Sequence, residues 1–61
     1  MKKEWVSIRE AARYADVSES TIRRWVSKGL IRSYHVEGVS RYRTNEIDKL
    51  FEESEKNMEI D

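Results

Sequence analysis

The chain has no cysteine, no proline, two glycines and one histidine. It also has no net charge, because twelve lysines and arginines face twelve aspartates and glutamates in 61 residues. Each absence removes a class of explanation. Without cysteine there is neither a disulfide nor a thiolate metal site to stabilise a small fold. One histidine does not supply a catalytic zinc constellation, so no metal or other cofactor is expected. No apolar run reaches the roughly 18 residues of a membrane helix, and no N-terminal apolar segment ends in a small-residue cleavage site. The expected location is the cytoplasm, with no membrane partner. The length excludes a large enzyme fold and fits one small domain, residues 1–61, with a modest core.

The zero charge conceals a division along the chain. Residues 1–43 hold ten cations against five acids, a net +5, and residues 44–61 hold Lys49 and Lys56 against seven acids, a net −5. A basic body joined to an acidic segment can bind an anionic partner despite the neutral sum.

The hydrophobic pattern predicts a helix, a tight turn and a second helix. Ile8, Ala11, Ala12 and Ala15 follow the i, i+3, i+4, i+7 spacing of one helical face. Ser7 and Glu10 have the spacing of a capping box, and the alanines let another helix approach closely. A second helix from Glu19 to Lys28 starts at Ser18 as its N-cap, with Glu19 and Lys28 matching the two ends of the helix dipole. Its apolar face is Ile22, Trp25 and Val26, and Gly29 offers the stop. Only Asp16 and Val17 stand between the first helix and the Ser18 cap, with Val17 placed to plug the corner.

After Gly29 the period changes from helix to strand. Tyr34 and Val36 share one strand face and His35 takes the other. Glu37 and Gly38 mark a turn, and Ser40 to Arg43 return with Tyr42 inward and Arg41 and Arg43 outward. The register of this hairpin stays open between a short and a longer loop. Thr44 or Asn45 caps a last helix, whose apolar stripe is Ile47, Leu50, Phe51 and Met58 and whose outer face is acidic. The fold class is therefore small α+β. Trp5, Trp25, Tyr34 and Tyr42 are read as core or core-edge anchors rather than stacking platforms.

The residues left over once the core is filled carry the functional reading. On the second helix Ser20, Arg24 and Ser27 lie at about 160°, 200° and 140° from Ile22, taking about 100° per residue. Thr21, Arg23 and Lys28 flank them. An α-helix fits the DNA major groove, where arginine pairs bidentately with guanine. Arg24 and Thr21 are expected near base edges. Ser20, Arg23 and Lys28 are expected at phosphates or as positioning contacts, with Ser27 on the same face. Arg41 and Arg43 on the hairpin are placed for phosphate or a narrow minor groove. His35 either hydrogen-bonds locally or touches DNA, and the bland surface role is preferred. No catalysis is expected, because Ser18, Ser20 and Thr21 form no nucleophilic arrangement with His35 and no Gly-rich phosphate loop is present.

The run from Val6 to Ala12, the run from Val17 to Ile31, then Gly38, Arg41-Tyr42-Arg43 and Glu46-Ile47, resemble the excisionase/MerR-type winged helix-turn-helix DNA-binding domain. The resemblance covers about residues 5–51 and leaves 52–61 as an acidic helix end or tail. It implies a winged helix-turn-helix with a two-stranded wing and a C-terminal helix. It also implies that the second helix enters the major groove through Ser20, Thr21, Arg23 and Arg24, while Arg41 and Arg43 act from the wing. The chain departs from the pattern at Arg32-Ser33, where many related domains have proline. About ten residues follow Phe51, which speaks against a long dimerisation helix and against a small-molecule effector. The expected partner is double-stranded DNA, with an integrase or neighbouring copies of the chain beside it. An excisionase-like architectural factor leads. A small transcriptional regulator, and a protein-interaction module without DNA binding, are the alternatives.

Overall fold

The structure, a computed structural model, describes residues 4–58 of the chain, with side chains described for residues 4–54. Its elements run β1 (Trp5–Val6), α1 (Ile8–Ala15), α2 (Glu19–Ser27), β2 (Tyr34–Val36), β3 (Val39–Arg43) and α3 (Thr44–Met58). The small α+β class and the winged helix-turn-helix arrangement are both present.

The capping box at α1 is complete. The Glu10 N–H donates to Ser7 Oγ at 3.2 Å, and the Ser7 N–H donates to Glu10 Oε1 at 3.0 Å. At α2 the Ser18 hydroxyl accepts the Thr21 N–H at 3.2 Å. Each such cap stabilises its helix by about 1 kcal/mol.

The same device closes both helices. After α1, Asp16 turns left-handed at φ 60°, the Val17 N–H reaches the Ala12 carbonyl at 2.9 Å and the Asp16 N–H reaches Arg13 at 3.2 Å. After α2, Gly29 turns left-handed at φ 78°, the Leu30 N–H reaches Trp25 at 2.9 Å and the Gly29 N–H reaches Val26 at 3.0 Å. These are two Schellman closures, in which the 6→1 and 5→2 bonds satisfy the terminal carbonyls. The first one makes the turn between α1 and α2 tight and brings Val17 down onto the core.

The core is one cluster of Val6, Ala11, Ala12, Ile22, Ile31, Tyr42 and Ile47, with Ile8, Ala15, Val17, Trp25, Val26 and Leu50 packed around it. Ala11 and Ile22 are fully buried. The small alanines of α1 allow α2, α3 and β3 all to close on one short helix.

The sheet has three strands in the order β1-β3-β2, both pairings antiparallel. β1 was not expected, because two residues carry no alternation to read. It pairs Trp5 with Arg43 and Val6 with Tyr42, and the Thr44 N–H donates to the Glu4 carbonyl at 3.0 Å just beyond. The wing itself is the two-stranded β2–β3 hairpin, registered Tyr34 to Arg41, His35 to Ser40 and Val36 to Val39. That register leaves a two-residue loop, Glu37-Gly38, with positive φ at both positions, the requirement of a type I′ turn. The returning strand thus begins at Val39, one residue before the expected Ser40.

Two expectations about the core are corrected. Trp5 is 46% exposed and lies on the outer face of the sheet rather than in the core. The strand register accounts for this, since Trp5 opposes Arg43 on the face away from the buried Val6 and Tyr42. Tyr34 sits on the same outer face and is half-buried, its ring edge-on to Trp5 at 5.1 Å. Tyr42 and Trp25 do serve as core and core-edge residues. On α3, Ile47 is buried and Leu50 packs on the core. Phe51 is exposed but meets the Trp25 ring edge-on at 5.8 Å. The side chain of Met58 lies outside those described. α3 begins at Thr44, itself buried, rather than after it.

Candidate nucleic-acid interface

α2 is held by its inner face, where Ile22 is fully buried and Trp25 and Val26 pack on the core. The opposite face is thereby fixed outward, and Ser20, Arg23, Arg24, Ser27 and Lys28 are all exposed. This is the expected division of the helix. Thr21 is only half-exposed, because its hydroxyl works at the helix start. It shares a 3.1 Å hydrogen bond with the Ser18 hydroxyl and accepts from the Arg24 guanidinium at 3.3 Å. Cap, threonine and arginine form one chain along the first turn. The Arg24 head group is therefore drawn toward the N-terminal end of α2, where the first N–H groups lack intrahelical carbonyls and the helix dipole is positive. Arg23 lies 3.7 Å from Glu19 one turn earlier, and both remain substantially exposed. Such a surface pair contributes little to stability, and an anionic ligand can compete for the arginine.

The two wing arginines have different surroundings. Arg41 is exposed, and its guanidinium donates to the neighbouring Ser40 carbonyl at 2.8 Å. Arg43 is 33% exposed, pairs with Glu4 and lies 4.9 Å from the Trp5 ring centroid. Its charge is directed at β1, so it fastens the first strand to the third. Its Nε is buried without a hydrogen-bond partner. Arg41 instead borders an open groove of about 400 Å³ on the outer sheet face, floored by Trp5, Tyr34, Val36 and Val39. His35 is fully engaged locally, with Ser40 at 2.9 Å on Nδ1 and Ser33 at 3.0 Å on Nε2.

A further residue had no assigned role in the sequence. Glu46, in the first turn of α3, accepts the Arg32 backbone N–H at 2.8 Å on Oε1 and the Tyr34 hydroxyl on Oε2. The Tyr34 phenol is raised above its ordinary pKa of 10.0, first by this hydrogen bond to Glu46, then by desolvation and the Glu46 charge. In sequence, Glu46 appears in the run that resembles the winged helix-turn-helix pattern and as one acid of the C-terminal segment, with no partner assigned. Tyr14 similarly ties α1 to α3 through Asp48 at 2.7 Å. Among the described residues no cluster of three or more His, Asp or Glu side chains is arranged to hold a metal. Among the same residues no helix is long and apolar enough to cross a membrane.

A family model described as a helix-turn-helix domain matches residues 5–55. No curated protein and no solved structure matches the chain.

Proposed function

The chain belongs to the helix-turn-helix domain family, and we propose that it is a site-specific double-stranded DNA-binding protein that reads the major groove with α2 and tracks the backbone with its wing. The observation that carries this reading is the outward face of α2. Ser20, Arg23, Arg24 and Ser27 stand exposed on a helix whose other side is anchored in the core, with Lys28, the expected last residue of the helix, exposed at its C-cap one residue beyond it. In this reading Arg24 reaches guanine acceptors, with Thr21 beside it steering the guanidinium through its hydroxyl. Ser20, Arg23, Ser27 and Lys28 meet phosphates or set the docking position. Arg41 is the phosphate contact of the wing, and Arg43, on the same face of β3, holds the strand to Glu4 and Trp5.

Within that class the preferred role is an excisionase-like architectural factor of a phage or mobile element, assisting site-specific recombination. The supporting argument is affinity. Arg23 and Arg24 on α2, Lys28 at its C-cap and one cation on the wing neutralise few phosphates, and affinity rises steeply with the number neutralised. A module of this size gains from an integrase or neighbouring copies on adjacent sites. The same interface also suits a small transcriptional regulator at a promoter. A footprint beside recombination sites supports the first role, and one overlapping a promoter supports the second.

The test is selection from a random duplex library, followed by footprinting and titration at controlled salt. Arg24→Ala is expected to cost about 1–3 kcal/mol and to relax preference at one base pair. Arg41→Ala is expected to weaken all duplexes alike and to lower the salt slope by about 1. Unchanged binding by both variants refutes the interface. Failure of the intact protein to select any duplex leaves a protein-interaction module.

A further inference from the structure

We propose that Glu46 is a positioning residue that sets the wing relative to α2, so that helix and wing meet one stretch of duplex together. This rests on the reading that Arg41 contacts DNA from the wing. Between the end of α2 at Ser27 and the start of β2 at Tyr34 lie six residues without regular structure. β3 is held to the core by Tyr42 and by its pairing with β1, but this segment leaves β2, the outer strand of the wing, without a fixed relation to α2 unless it is tied down. The Leu30 N–H closes α2, and Ile31 is buried in the core. Beyond Ile31, among the described residues, the hydrogen bonds from this segment and β2 to α3 go to one carboxylate. Glu46 Oε1 accepts the Arg32 N–H at 2.8 Å, and Glu46 Oε2 accepts the Tyr34 hydroxyl.

The second tie reaches the proposed contact directly. Tyr34 is the cross-strand partner of Arg41, and its ring packs edge-on against Trp5. Directly opposed residues in an antiparallel pair constrain one another. Holding the Tyr34 hydroxyl therefore holds the strand position from which Arg41 projects. Glu46 itself is rigid in the frame, because the next residue, Ile47, is buried and the first turn of α3 is joined to Glu4 through the Thr44 N–H. One side chain thus links the helix exit, the wing and the third helix without needing to touch DNA.

The experiment is a titration of the selected duplex over several salt concentrations with Glu46→Ala, Arg41→Ala, the double variant, Tyr34→Phe and Glu46→Gln. Thermal unfolding of each variant identifies the folded fraction. Glu46→Ala is expected to lower affinity about 5–20-fold, to retain the base preference that depends on Arg24 and to reduce the salt slope as Arg41→Ala does. The double variant is expected to bind no worse than the weaker single variant, since both remove one contact. Tyr34→Phe is expected to reproduce part of the loss. Glu46→Gln keeps an acceptor oxygen and is expected to restore most of it. Losses that multiply in the double variant with an unchanged salt slope mean general destabilisation and overturn the proposal. A second measurement separates this from failure of the DNA reading. Residual dipolar couplings of the free protein are expected to show one α2–wing angle in the parent and a spread of angles in Glu46→Ala. An unchanged angle overturns the role of Glu46 whatever the DNA result. If Arg41→Ala leaves binding intact, the wing contact fails, and with it the proposed function of the tie.

Discussion

Asp16 and Gly29 occupy equivalent positions after successive helices, and both adopt positive φ. For an L-residue this conformation costs about 1–2 kcal/mol, and glycine escapes the cost. Gly29→Ala meets no atom within 4 Å, so its penalty is conformational rather than steric. It is expected to lower stability by about 1 kcal/mol in urea unfolding, whereas Asp16→Gly is expected to raise it. The Asp16 change also removes an anion from the negative end of α1. Tyr34 offers a second test at this scale. Its phenol is raised by the hydrogen bond to Glu46, so the folded state holds its proton more firmly than the unfolded chain. The corresponding stability is complete below the ordinary tyrosine pKa of 10.0 and is lost as pH rises through the folded value. Denaturation followed between pH 9 and about 11.5 is expected to show this alkaline loss in the parent and less of it in Tyr34→Phe.

The wing turn carries its own imperfection. A type I′ turn favours Asn-Gly, and here the first position is Glu37 at φ 50°. Glu37→Asn is expected to stabilise the hairpin by about 0.5 kcal/mol without changing which duplex is selected. Amide exchange across β2 and β3, compared with duplex selection, checks both halves of that statement. The same hairpin shows where sequence reading succeeds and stops. Alternation at Tyr34, Val36 and Tyr42 locates both strands, because period two survives even in short segments. Glu37 and Gly38 also mark the turn, but the loop length and register stay open in the sequence, since Glu37 is a poor marker of positive φ. α1 is legible because its cap and apolar stripe agree, and α2 because its stop at Gly29 agrees with them as well. β1 is not, because its placement depends wholly on pairing with Arg43 and Tyr42, far along the chain. That pairing also turned Trp5 outward and directed Arg43 at Glu4. The exposed face of α2 was legible for a local reason, since helix geometry alone opposes it to Ile22. The role of Glu46 was not, because both of its partners are tertiary.

For the molecule as a whole, the division between a +5 body and a −5 C-terminal segment sets the electrostatic behaviour. α3 lies wholly in the acidic segment; it starts against the core, where Ile47 is buried, and continues to an exposed Phe51-Glu52-Glu53 stretch. The acids beyond the core repel the same polyanion that the body attracts. Removing residues 55–61 deletes three acids and one lysine and leaves a net charge of +2. The shortened chain is expected to bind duplex more tightly at low ionic strength, with the advantage shrinking as salt screens separated charges beyond about 10 Å. Titrations of both chains between 50 mM and 200 mM salt measure this, and parallel curves with no offset refute it.

One tryptophan lies on α2 and the other on β1, the strand that pairs with β3 of the wing. Trp25 sits on α2 against Phe51, and Trp5 lies beside the wing against Tyr34 and beneath Arg43. The fold has thereby installed one intrinsic fluorophore on α2 and one beside the wing, the first packed on the core and the second exposed. Replacing either by phenylalanine leaves a single emitter, so the arrival of helix and wing on a duplex becomes two separately timed optical signals, without attaching a dye.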